Sequence, residues 1–243
     1  MVCRFCNIER PLIKAHIVPE GFFRVLRDGS GVPELHTNKR GAYPKRAPVG
    51  VYDKSILCRN CDNVFSPWDN HAQHVLLHNF SDTMAFYSGP TKVGWKIDRF
   101  DYRRFKLFFI SLLWRASVST HQFYQRVSVG PFQDELRQMI ANEDPGTAET
   151  FAVALAKFDA PGFTAMLDPH LERYEGINYC RFYLAGFVVY IKVDRRPPPD
   201  VLSYVLVREG MPIIVVRRDA ADSKDTAVMR DIAQSAWRLR HGN

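Results

Sequence analysis

Cys3-Arg4-Phe5-Cys6 and Cys58-Arg59-Asn60-Cys61 are two tight Cys-x-x-Cys pairs, and between them stands Lys14-Ala15-His16-Ile17-Val18-Pro19. The chain holds 5 cysteines, so the two pairs take all but one of them. Two such knuckles can supply four thiolates to one tetrahedral zinc ion, with Cys3, Cys6, Cys58 and Cys61 as structural ligands. A redox motif needs a single pair, and disulfides belong to oxidising compartments. Zinc is therefore the expectation. The interval between the knuckles exceeds that of a compact zinc ribbon, so something folds inside the ring, and His16 is its conspicuous histidine. Cys180 stands alone in an apolar, strand-like run and reads as a core residue.

Around this ring the composition sets wide bounds. At 243 residues, with 46% hydrophobic and 13% aromatic content, the chain can build one large domain or two small ones with true cores. Lys+Arg 33 against Asp+Glu 26 gives a formal charge of +7, which permits nucleic acid as a partner without requiring it. The longest greasy stretch, Leu107 to Trp114, is far shorter than a membrane span and is flanked by Lys106 and Arg115. Cys3 follows the first residue almost at once and the thiols read as reduced, so no signal peptide, no membrane and a cytoplasmic location are expected.

Along the chain, Ile13 to Val18 is a short β-favouring run stopped by Pro19, and Val51 to Leu57 reads as a second strand. Gly29 to Pro48 is rich in Gly, Pro and basic residues and reads as an exposed loop. From Asp62 the pattern Val64, Phe65, Trp68, His71, Val75 indicates a helix, with Pro67 complicating its first turn. Phe105, Phe108, Phe109, Leu112, Leu113 and Ala116 form one wide apolar helix face. A second helix opens at Pro131, with Phe132, Leu136, Met139 and Ile140 on its inner side. Strands are expected at Phe151 to Leu155, Ile177 to Val193, Leu202 to Val207 and Ile213 to Arg217, before a last helix opened by Asp222 or Ser223. The fold class is thus α+β: a zinc module over residues 1–95, then a mixed helix and antiparallel-sheet domain over residues 96–243.

Phosphodiester hydrolysis at neutral pH needs a base to prepare water, an electrophile for the developing charge, and cations for the backbone. Imidazole as a group titrates near neutral pH, which makes His16 the natural choice of base. Cys-x-x-Cys, then Ala-His-Ile-Val-Pro, then Tyr52-Asp53-Lys54-Ser55-Ile56-Leu57-Cys58-Arg59-Asn60-Cys61-Asp62 resembles the ββα-metal core of HNH endonucleases over about residues 3–75. The resemblance implies a DNA nuclease in which His16 activates water. It places Asp53 where the family carries a loop-bracing Asn, and Asp62 where a His or Asn binds a divalent metal. Asp62 keeps a hard oxygen suited to Mg2+ or Mn2+, Asp53 loses the amide donor of Asn, and Ala15 stands where an acidic ligand is common. Lys39, Arg40, Lys45, Arg46 and Arg59 are candidate phosphate contacts.

Other polar groups read more simply. His71, His74 and His78 fall on one helical face with Asp69 ahead of them, as a solvated surface would, and packing accounts for most of the helix carrying Ser111, Trp114 and Arg115. Because two of the three HNH letters are replaced, a second expectation stands beside the nuclease: a zinc module that has lost its chemistry and binds nucleic acid or protein. A thiol-responsive zinc switch is a third.

Overall fold

In the computed structural model, which describes residues 1–26, 34–35, 45–46, 50–160, 166–221 and 223–241, a segment carrying the two cysteine pairs leads into a large sheet. The elements run β1 (Ala15–His16), α1 (Glu20–Arg24), β2 (Glu34–Leu35), β3 (Lys45–Arg46), β4 (Tyr52–Asp53), α2 (Arg59–Gln73), β5 (Ala85–Ser88), β6 (Thr91–Ile97), α3 (Tyr102–Val118), α4 (Gln133–Ala141), β7 (Val153–Phe158), β8 (His170–Tyr174), β9 (Ile177–Leu184), β10 (Phe187–Lys192), β11 (Ile213–Arg218) and α5 (Lys224–His241). No helix among the described residues is long and apolar enough to cross a membrane.

β1 and β4 pair antiparallel, Ala15 opposite Asp53 and His16 opposite Tyr52. Both are only two residues long, because Pro19 ends one run and the chain beyond Asp53 turns into the second knuckle. α2 starts directly behind Cys58 and buries Cys61, Phe65, Trp68 and Ala72, an i, i+4, i+7, i+11 stripe. Pro67 lies in the middle of α2 rather than its first turn. Its missing N–H costs one ladder bond there, and the helix persists because the stripe on either side is packed. A π-helical turn, His74–His78, continues it.

Seven strands form the large sheet in the order β5-β6-β11-β7-β10-β9-β8. It is a mixed sheet, not the antiparallel one expected, because β11 runs parallel to β7. The cause is topological. β10 is antiparallel to β7 and so ends where β7 begins, and the connector passes that end, with Leu206 bridging Ala154, to start β11 on β7's other side. The expected strand at 202–207 is instead a 3-10 turn, Asp200–Val205, whose Leu202 and Val205 pack beside Ala152, Ala154 and Leu206. The single run expected at 177–193 is a hairpin, folded at Ala185-Gly186 with φ of 52° and 87°, the left-handed pair of a tight turn.

α3 is buried on all sides rather than along one face, from Phe105 to Ala116, including Lys106, Ser111 and Arg115. It packs between α2 and α4 in one apolar cluster that takes in the inward residues of the sheet: Val153 and Leu155, Phe182 and Leu184, Val189 and Ile191, Ile213 and Val215. The opposite face, with Ala156, Phe158, Tyr183 and Val188, meets Met229 of α5. Position 95, the expected domain boundary, falls inside β6, and the same cluster runs from Cys3 to Val215. Cys180 is wholly buried within it.

Candidate functional site

The first knuckle turns at Asn7: its N–H donates to the Cys3 carbonyl at 2.9 Å, and its φ of 57° reverses the chain so that the Ile8 carbonyl accepts from Cys3 N at 3.1 Å. Arg4 N donates to the Ile56 carbonyl at 2.8 Å and Ile13 N to Leu57 at 2.9 Å, which brings the first knuckle against the second. Phe5 packs edge-on to Phe65 of α2 and Trp114 of α3, at 5.6 and 5.4 Å between centroids. Local turns and an aromatic anchor thus assemble the two pairs.

The sulfurs of Cys3, Cys6, Cys58 and Cys61 all lie within 4.8 Å of one another. A tetrahedral ion with zinc–sulfur bonds of about 2.3 Å spaces its ligands about 3.8 Å apart, so the nest fits such an ion. Burial works against charge on Cys3, yet the amides of Cys6, Cys58 and Phe5 outweigh it and lower its thiol to about 7. Cys61 is pushed up by burial and by the neighbouring thiols. Four sulfurs this close cannot all ionise without a cation among them, and zinc would supply that charge as a closed structural site.

Alternation along the short strand pair sorts the neighbouring residues. Ala15 and Asp53 face inward, at 0% and 4% exposure, while His16 and Tyr52 share the outer face. The His16 ring meets Tyr52 edge-on at 6.0 Å, and the amines of Lys14 and Lys54 lie 5.3 and 6.0 Å from the same ring. Lys14, His16, Tyr52 and Lys54 therefore make one basic, aromatic rim, with exposed Arg59 following on α2. Sequence reading missed Lys14, Tyr52 and Lys54, although the period of two around His16 was a signal for them.

Asp53 does not share that rim. Its carboxylate accepts from Ser55 N and Oγ at 2.8 and 2.6 Å, Ser119 Oγ at 2.8 Å, and Thr120 N and Oγ1 at 2.7 and 3.2 Å. Burial alone would raise its pKa, but these donors hold it down at about 2. Asp53 is a permanently charged brace joining the end of β4 to the end of α3.

Asp62 stands in the first turn of α2, half-buried. Burial raises its pKa, and the charges of Arg115, His16 and Arg59 act in the opposite sense, so the carboxyl and the His16 ring lie within electrostatic reach of one another. Asp69 follows seven residues later on the same side of the helix. Arg115 of α3 grips it with Nη2 at 2.6 Å and Nη1 at 2.9 Å, a bidentate pair, and stacks its guanidinium 5.0 Å from the Phe65 ring. The same Nη1 donates to the His16 carbonyl at 3.0 Å. Nothing local in the sequence marks this link, because Asp69 and Arg115 meet only through packing of α2 on α3.

The other candidates go elsewhere. His71 Nε2 accepts from Asp101 N at 3.0 Å and joins α2 to the start of α3, while His74 bonds Asn79 at 2.9 Å. Lys45 and Arg46 form β3, paired with β2, and Lys39 and Arg40 lie outside the described residues. Among the described residues, the four cysteines are the only group of three or more potential ligands gathered closely enough to hold an ion. No family model, curated protein or solved structure matches the chain.

Proposed function

We propose that this protein is a metal-dependent endonuclease of the HNH type that hydrolyses DNA phosphodiester bonds. The observation that carries the reading is the placement of His16 on the outer face of the β1–β4 pair, within electrostatic reach of Asp62 at the mouth of α2, beside the four-cysteine nest. In this mechanism His16 takes a proton from water as the water oxygen bonds to phosphorus, while the opposite P–O bond to the sugar oxygen breaks and that oxygen leaves with a proton from solvent. Asp62 would hold Mg2+ or Mn2+, whose chemistry there would be stabilisation of the charge that develops on the phosphoryl group. Lys14, Lys54 and Arg59 bind the flanking phosphates. Asp53 keeps the β4 end in register with α3 and does no proton transfer.

The test is cleavage of supercoiled, linear single-stranded and hairpin DNA by zinc-replete protein with Mg2+ or Mn2+. His16→Ala is expected to slow cleavage by about 100-fold or more while zinc content stays at the wild-type level. Zinc-replete wild type inert on every substrate, or His16→Ala cutting at the wild-type rate, would overturn the reading.

One observation favours a second reading, a module that binds nucleic acid or protein without cutting it: no third ligand joins His16 and Asp62 among the described residues in a group fit for an ion. That reading expects salt-sensitive binding that survives His16→Ala.

A further inference from the structure

We infer that Arg115, which lies outside the HNH-like segment, is the positioning residue of the His16 site, an inference that rests on the nuclease reading for its kinetic consequence alone. A guanidinium has five N–H donors in a fixed plane. In Arg115 all of them are engaged: Nε with the Ser111 carbonyl at 3.3 Å, Nη1 with the His16 carbonyl at 3.0 Å and Asp69 Oδ2 at 2.9 Å, and Nη2 with Asp69 Oδ1 at 2.6 Å and Ser111 Oγ at 3.3 Å. The side chain is 1% exposed. It therefore has neither a donor nor a surface to offer a phosphate, and its role is to hold other groups.

What it holds are two elements of the site, β1 and α2, against its own helix α3. β1 is two residues long, and two ladder positions against β4 fix it weakly. The bond from Arg115 to the His16 carbonyl is a third attachment at the end of the strand, at the residue whose ring faces the rim. Through Asp69 the same plane sets the rotation of α2, and hence the direction of Asp62 one face-repeat earlier. Ser111 and the Phe65 ring lock the plane itself. Stability is a weak reason for such a group, since buried ion pairs are often replaced by apolar residues without loss. Specification of geometry is the stronger one.

The experiment compares the full-length protein with the double variant Asp69→Leu/Arg115→Met, which leaves no buried charge unpaired, and with Arg115→Lys, which keeps the charge but not the planar fork. Both are expected to bind wild-type amounts of zinc. Both are expected to lose about 100-fold in kcat with KM for DNA changed less than about threefold, the pattern of a misplaced base rather than lost binding. The His16 ring signals in NMR spectra, assigned by their loss in His16→Ala, are expected to shift in both variants. Wild-type kcat, or unmoved His16 signals, in a zinc-replete variant overturns the inference; should the double variant fail to fold, Arg115→Lys decides. If the wild type itself cleaves nothing, the nuclease reading fails separately and the His16 signals alone judge the positioning role.

Discussion

Lys106 is buried to 0% exposure in the middle of α3, and its amine finds no hydrogen-bond partner. Burial first, and the nearby charge of Lys192 second, push its pKa down to about 7. An unfolded lysine titrates near 10.4, so between about 7 and about 10.4 the unfolded chain binds the extra proton and stability rises with pH. Lys106→Met is expected to stabilise the protein by roughly 2 to 4 kcal/mol at pH 7 and to abolish that rise, as measured by denaturant unfolding at pH 7 and pH 10. Asp53 shows the opposite logic, a charge welcomed inside by five donors. Its spacing before Cys58 was legible in the sequence. That it braces Ser119 and Thr120 was not, because those donors arrive from the far end of α3 and only the fold brings them.

At the level of elements, the β1–β4 pair concentrates exposed cations on one face, and that face makes a test. Each of Lys14→Ala and Lys54→Ala is expected to weaken DNA binding and to reduce the slope of log affinity against log salt by about 1, as loss of one phosphate contact requires. Titrations at several salt concentrations, with His16→Ala background protein to prevent cleavage, measure it. An unchanged slope removes these lysines from the interface. The cysteine pairs, α3 and α4 were readable because spacing or period is local. β5 and β6 were not: their residues are short runs of mixed exposure around a Gly89-Pro90 turn, with φ of 59° at Gly89. The hairpin at Ala185-Gly186 was hidden for the reverse reason, since its turn is as apolar and as buried as the strands it joins.

Across the whole molecule, one apolar cluster ties the knuckles to the sheet, with α2, α3 and α4 as the layer between. The cysteine nest lies at one edge of it. Cys3, Cys58 and Cys61 belong to the cluster, and Phe5 is wedged between Phe65 and Trp114. The four-cysteine nest and the candidate chemistry therefore share walls with the rest of the fold, and the sheet supplies the rigid backing that a two-residue strand lacks. On this reading a single ion on four sulfurs would fasten the start of the chain to α2 and so fix the ground on which His16 and Asp62 stand. X-ray absorption at the zinc edge, with metal content measured on the same sample, is the decisive experiment. One zinc per chain with four sulfur neighbours at about 2.3 Å is expected; a shell containing nitrogen or oxygen, or folded protein that binds no zinc, would contradict it.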